Sequence, residues 1–133
     1  MDYRTQNHNK SLMMSHIILV CKYRKQLLVR FGEQVKQLMP SIADEKGFEI
    51  MEIEADKDHI HLLARYSPKY SALQIVRLLK QISTFRLWRT NGNYQFLKRH
   101  FWKEQTFWSD GYFTCSIGNA SKNTILKYIQ NQG

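Results

Sequence analysis

Two strand-like runs separated by only three residues limit this chain more than any other feature. Phe48 to Ala55 sets Met51, Ile53 and Ala55 against Glu52 and Glu54, and His59 to Tyr66 sets Ile60, Leu62, Ala64 and Tyr66 against His59, His61, Leu63 and Arg65. Such alternation marks a strand with two unlike faces. Parallel pairing needs a crossover of a dozen residues or more, so the link Asp56-Lys57-Asp58 dictates an antiparallel hairpin. Pro68 ends the second strand.

The flanking segments repeat one pattern on each side. Upstream, Leu12 to Tyr23 is β-prone, and Ile17-Ile18-Leu19-Val20-Cys21 is apolar at every position, as in an interior strand. The basic cluster Lys22-Tyr23-Arg24-Lys25 follows, and then Leu28, Phe31, Val35, Leu38 and Ile42 at helical spacing. This helix closes near Gly47, with Pro40 expected to kink or break it. Downstream, Ser71 caps a helix through about Thr90, with Ile75, Leu79, Ile82 and Phe85 on its buried side and Asn91-Gly92-Asn93 as its stop. Residues 94 to 104 read as a short helix rich in aromatic and basic groups. Thr106 to Ile117 reads as a last β segment bent at Asp110-Gly111. After Gly118-Asn119-Ala120 a final helix starts at Ser121, on which Tyr128 and Gln132 share a face.

The order β-α-β-β-α-β is that of the ferredoxin-like split βαβ plan. The expected fold is therefore α+β, an antiparallel sheet with helices on one face as in RNA-recognition modules, plus a C-terminal helix carrying a tyrosine. Residues 1–133 suffice for a single domain, with 1–11 as a flexible N-terminal segment.

Charge is unevenly placed. The net charge is +9, yet residues 1 to 58 hold nine Lys or Arg against nine Asp or Glu, whereas residues 59 to 109 hold nine against Glu104 alone. Mixed with aromatic side chains, that excess favours a nucleic acid partner over simple solubility. The longest apolar run is too short for a membrane span, and the first residues lack a signal-peptide pattern, so the expected location is the cytoplasm. Cys21 and Cys115 read as small buried hydrophobes.

Chemistry centres on His59 and His61. Successive side chains on a strand alternate, so these imidazoles point the same way with Cα atoms roughly 6.5 to 7 Å apart. Three readings stay open from the residues alone: incidental surface histidines, two ligands of a metal ion, or an acid-base pair. As metal ligands they need a further donor, for which Gln132, Asp58, Glu52, Glu54, His16 and His100 are candidates. Imidazole ligands tilt the choice toward manganese, with magnesium the other divalent cation considered. A lone tyrosine on an amphipathic helix, as at Tyr128, is ordinarily a packing residue.

Together these residues resemble a known family, the single-tyrosine HUH transposases of the smallest bacterial and archaeal insertion sequences, akin to the REP-associated tyrosine transposases. The resemblance rests on Asp58-His59-Ile60-His61-Leu62-Leu63, Lys22-Tyr23-Arg24, Lys80, Trp108-x-x-Gly111-Tyr112 and Tyr128-Ile129-x-x-Gln132, in order along nearly the whole chain. It implies a DNA transposase that cleaves and rejoins single-stranded DNA through a 5′-phosphotyrosine at Tyr128. A divalent metal, Mg2+ or Mn2+, would be held by His59, His61 and Gln132, with no nucleotide cofactor. It further implies DNA hairpins at element ends as partners, and a homodimer whose C-terminal helix 121–133 docks in trans to complete each active site. Lys22, Arg24, Arg77, Lys80, Arg86 and Arg89 are the expected DNA contacts. Two alternatives stand beside this reading: a non-catalytic or domesticated single-strand or hairpin binder, and a metal-independent phosphodiesterase using the two histidines with water.

Overall fold

In the computed structural model, which describes residues 12–117, the hairpin forms as its spacing requires. Strand β2 (Glu49–Ala55) runs antiparallel to β3 (His59–Tyr66), and the turn is closed by the Asp56 N–H donating to the His59 carbonyl at 2.9 Å. Strand β1 (Met13–Val20) pairs antiparallel with β3 along its length, from Met13 opposite Tyr66 to Val20 opposite His59. Strand β4 (Phe113–Ser116) pairs antiparallel with the other edge of β1, giving the order β2-β3-β1-β4. Helix α1 (Leu28–Lys46) links β1 to β2, helix α2 (Ala72–Arg89) leaves β3, and a short α3 (Asn93–His100) precedes β4. This is the α+β split βαβ arrangement expected.

The core explains why one sheet face is covered. Ile17, Leu19 and Cys21 of the β1 segment join Ile60, Leu62, Ala64 and Tyr66 of β3, and they meet Phe31, Val35, Met39 and Ile42 of α1 and Ile75, Leu79 and Leu87 of α2 in one buried cluster. Fully burying each of the isoleucine, leucine, valine, methionine and phenylalanine side chains among them contributes about 1.5–3 kcal/mol. Helix α1 ends at Gly47, whose φ of 84° suits a residue without a Cβ. Helix α2 begins with a capping box: the Gln74 N–H donates to Ser71 Oγ at 3.1 Å, and the Ser71 N–H to Gln74 Oε1 at 2.8 Å.

Several sequence expectations are corrected. Helix α1 runs through Pro40 without interruption. Burial of Phe31, Val35, Met39 and Ile42 along one stripe holds the turns on either side of the missing N–H. Met51 is exposed rather than inward, because a register shift between Ile50 and Glu52 sets it on a bulge; Ile50, Ile53 and Ala55 then oppose Ala64, Leu62 and Ile60. Phe85 is 55% exposed, since the buried stripe of α2 runs through Val76, Ser83, Leu87 and Trp88 instead. Only Phe113–Ser116 of the last β segment is a strand, with an isolated bridge between Cys21 and Trp108 ahead of it. Cys21 is buried but Cys115 only partly so, and both are free thiols. The predicted helix from Ser121, with Tyr128 and Gln132, lies outside the described residues. No helix among the described residues is long and apolar enough to cross a membrane.

Candidate functional site

Strand register places the two histidines. His59 opposes Val20 and His61 opposes Ile18, so both imidazoles stand on the sheet face turned away from α1 and α2. Val20 and Ile18 are themselves buried and make the local floor apolar. Nδ1 of His16, next along that face of β1, shares a 2.8 Å hydrogen bond with Nε2 of His61, and the two rings stack with centroids 5.0 Å apart. Burial, reinforced by the neighbouring His16, holds the His61 imidazole below its ordinary pKa, although Glu54 and Glu52 pull the other way. The neutral ring is thereby favoured.

His59 is held differently. Its Nδ1 lies 2.8 Å from Asp58 Oδ1, and Oδ2 of the same carboxylate accepts from Arg24 Nε at 3.1 Å. Burial would raise the Asp58 pKa, but the hydrogen bonds from His59 and Arg24 outweigh it and hold the carboxyl below its ordinary value. Asp58 is fixed from behind, because its carbonyl accepts the Cys21 N–H at 2.8 Å. A carboxylate on Nδ1 of an imidazole sets the tautomer and leaves the Nε2 lone pair outward, as metal-ligating histidines require.

The donor chemistry fits two imidazole ligands of a divalent cation: His59, oriented by a carboxylate, and His61, which would exchange its Nε2 hydrogen bond with His16 for the metal. Among the described residues no three His, Cys, Asp or Glu side chains gather into a complete site. Of the candidate third donors, Asp58 and His16 are hydrogen-bonded to the histidines themselves. Glu52 and Glu54 are exposed on β2, with Glu54 opposite His61. His100 stacks on Phe96 with centroids 4.8 Å apart and sits 3.4 Å from Lys25 Nζ. Gln132 lies outside the described residues.

The six expected DNA contacts are differently employed. Arg24 is paired to Asp58. Lys22 Nζ lies 3.4 Å from Asp110 Oδ1, and Arg86 grips Glu45 through Nη1 at 2.7 Å and Nη2 at 3.0 Å. Lys80 directs its ammonium to three carbonyls, those of Ser109 at 2.7 Å and of Asp110 and Gly111 at 3.1 Å. Arg77 is exposed and makes no ion pair among the described residues. Arg89 lies 3.6 Å above the exposed Phe85 ring and donates to the Phe85 carbonyl. Lys80, Phe85 and Arg89 line a cavity of about 500 Å³ with Gln81, Thr84 and Gln105.

The 3₁₀ turn Lys22–Arg24 carries Tyr23 and Arg24 with φ of 59° and 52°, adjacent non-glycine residues in the left-handed region. The turn is tied down by the Lys22 N–H to the Phe107 carbonyl at 2.8 Å and the Arg24 N–H to the Cys21 carbonyl at 2.9 Å. Its only sequence signal is a tyrosine inside a basic run.

A crystal structure from Deinococcus radiodurans R1 described as a transposase superposes with a TM-score of 0.80 at 28% identity, covering 92% of each chain. A REP-associated tyrosine transposase bound to a REP hairpin shares the fold with a TM-score of 0.55 at 14% identity, over 89% of this chain and 61% of that one. The chain belongs to the IS200-like transposase family, whose model matches residues 9–132. It is 31% identical to the transposase for insertion sequence element IS200 of Salmonella typhimurium, over 98% of this chain and 84% of the relative. It is 30% identical to the ISDra2 transposase of Deinococcus radiodurans, over 88% of this chain and 81% of the relative. The family's activity is DNA strand transfer in the transposition of insertion sequences.

Proposed function

We propose that the protein cleaves and rejoins single-stranded DNA at insertion-sequence ends, with Tyr128 as nucleophile and His59, His61 and Gln132 as ligands of Mg2+ or Mn2+. The observation that carries this reading is the histidine pair on the open sheet face, one imidazole aligned by Asp58 and the other biased to its neutral form. A bound divalent cation would supply Lewis acidity, polarising a phosphodiester and favouring departure of its 3′ oxygen. The Tyr128 oxygen forms a bond to phosphorus as the bond to the 3′ oxygen breaks. The phenol releases its proton, the 3′ oxygen takes one up, and the products are a 5′-phosphotyrosine and a free 3′-OH. Phosphodiester energy is conserved in that link, so rejoining by another 3′-OH needs no nucleotide cofactor. An unperturbed tyrosine is only about 0.1% phenolate at pH 7, which is why the site must activate it or its leaving group.

The substrate is DNA folded into hairpins near the element ends, and the active form is a homodimer in which helix 121–133 docks in trans. A helix of roughly 12 residues is marginal in water unless docked, on its own subunit or on the partner's.

Incubating the full chain with single-stranded element ends and Mn2+ tests the reading. A covalent protein–DNA adduct is expected on denaturing gels, lost on chelation and in Tyr128→Phe. An adduct of equal yield from Tyr128→Phe, or DNA hydrolysis by His59 and His61 with chelator present, refutes it.

A further inference from the structure

Tyr23 and Trp102 are the most exposed aromatic side chains among the described residues, at 69% and 72%. They lie on different elements, one on the turn after β1 and one in the loop after α3, yet both line a cavity of about 340 Å³. His100, Phe101, Lys103 and Glu104 complete its described lining. Phe101 is buried and forms the floor, with its ring 6.5 Å from that of Tyr23. Ammonium groups flank each ring: Lys22 Nζ is 5.6 Å from the centre of Tyr23, Lys25 Nζ 5.9 Å from Phe101, and Lys103 Nζ 4.9 Å from Trp102.

Two physical facts make this arrangement unlike incidental exposure. Tyr23 keeps its ring in water from a backbone conformation that costs a non-glycine residue free energy, and Arg24 beside it does the same. The turn is also wired to the histidine site, since Arg24 bonds Asp58 and Asp58 bonds His59. Strain at a fixed position, an exposed ring and that direct connection point to a ligand rather than to folding.

We propose that Tyr23 and Trp102 form a stacking platform for unpaired bases of single-stranded DNA beside the His59/His61 site, an inference that rests on the single-strand reading above. Aromatic faces accept any base by stacking, and Lys25 and Lys103 are placed to meet the negative backbone between the stacked bases. Duplex DNA offers no free base faces and is excluded from the platform. The chemistry selects strand form over sequence, complementing whatever reads the hairpin.

Tryptophan fluorescence tests this directly, because Trp88 and Trp108 are buried at 3% and 4% exposure and Trp102 is the only exposed tryptophan. The full chain, free of metal, is titrated with a single-stranded oligodeoxythymidine, the same length of abasic strand, and a duplex. The single strand is expected to quench emission, and Trp102→Phe to abolish the quench. By anisotropy of a labelled strand, Tyr23→Ala binds oligodeoxythymidine about tenfold more weakly, Tyr23→Phe binds within about twofold of wild type, and the abasic strand shows a similar about tenfold loss with wild type only. Tyr23→Gly separates binding from folding: it relieves the positive φ and raises Tm while losing the same affinity. Single-strand binding without quenching, together with unchanged affinity in Tyr23→Ala, overturns the platform and leaves the single-strand reading intact. Failure of wild type to bind any single strand overturns both.

Discussion

Removing the Asp58 carboxylate tests how the histidine site is built. In Asp58→Ala the His59 ring loses its 2.8 Å partner on Nδ1 and Arg24 loses its 3.1 Å acceptor. The fold is expected to survive, because the main-chain carbonyl of residue 58 still accepts the Cys21 N–H. The Arg24 and Asp58 side chains are 38% and 18% exposed, so solvent screening limits the pair's own worth to about 1 kcal/mol or less. The larger effect falls on the imidazole, which is free to rotate or take the other tautomer. Loss of a carboxylate behind a metal-ligating histidine typically weakens metal binding 10- to 100-fold, or about 1.4–2.7 kcal/mol. Asp58→Asn keeps an acceptor oxygen for Nδ1 without the charge and should fall between Ala and wild type. Calorimetric titration of the full chain with Mn2+ at neutral pH, with His59→Ala as the floor, measures this. The Asp58 carboxyl is held below its usual pKa, so it is fully charged under these conditions. Affinity of Asp58→Ala within about twofold of wild type would refute the claim that this carboxylate orients a ligand.

Four further outcomes are expected. Lys80→Met strips a half-buried cation from the carbonyls of Ser109, Asp110 and Gly111 and, discounted for solvent, should cost about 2 kcal/mol; unchanged Tm and unchanged amide exchange at 109–111 would dismiss the clamp. Burial pushes the Cys21 thiol up to about 12, so iodoacetamide at pH 8 should label Cys115 in the native protein and Cys21 only after unfolding, as read by mass spectrometry. His100 is held below the usual imidazole value by burial, with Lys25 and Arg99 adding to it. The unfolded chain then binds more protons as pH falls below about 6.5, so stability is level above that pH and drops beneath it; urea curves at pH 7.5 and 5.5 should differ less in His100→Gln. Arg77→Ala and Arg89→Ala should each lower the salt slope of single-strand binding by about 0.7, whereas Arg86→Ala should lower Tm and leave that slope alone; an equal slope change in all three would show that the Glu45 pair does not occupy Arg86.

What the sequence made legible is what local spacing controls. A three-residue link and period-two alternation suffice for the β2–β3 hairpin, and the same alternation puts His59 and His61 on one face. Ile60, Leu62, Ala64 and Tyr66 accordingly point to the core. Met51 escaped because a bulge inserts one residue into the alternation, and nothing in Glu49 to Ala55 marks where the register slips. Phe85 escaped because α2 offers two apolar stripes at acceptable helical spacing. Packing against the sheet chose the one through Val76 and Leu87, a choice set by residues distant in sequence. Positive φ at Tyr23 is likewise invisible, since tyrosine carries no local preference for it.

Charge shows most clearly why composition constrains partners more weakly than geometry does. The excess of cations in residues 59 to 109, nine against Glu104 alone, favours a nucleic acid partner. Folding divides it. Arg86 meets Glu45 from a helix 41 residues earlier, and Lys80 becomes an internal clamp for the loop that leads into β4. From the first half, Arg24 and Lys22 are drawn to Asp58 and Asp110. The first pairing is the one that aligns His59. Arg77 and Arg89 on α2 and Lys103 beside Trp102, which have no carboxylate partner among the described residues, remain next to exposed aromatic rings or along an open helix face. A phosphate must compete with Asp58 or Glu45 for a paired arginine, but with no carboxylate among the described residues at these positions. The basic excess thus serves two ends: part of it builds the scaffold that orients the histidines, and the remainder is available to hold a strand against them.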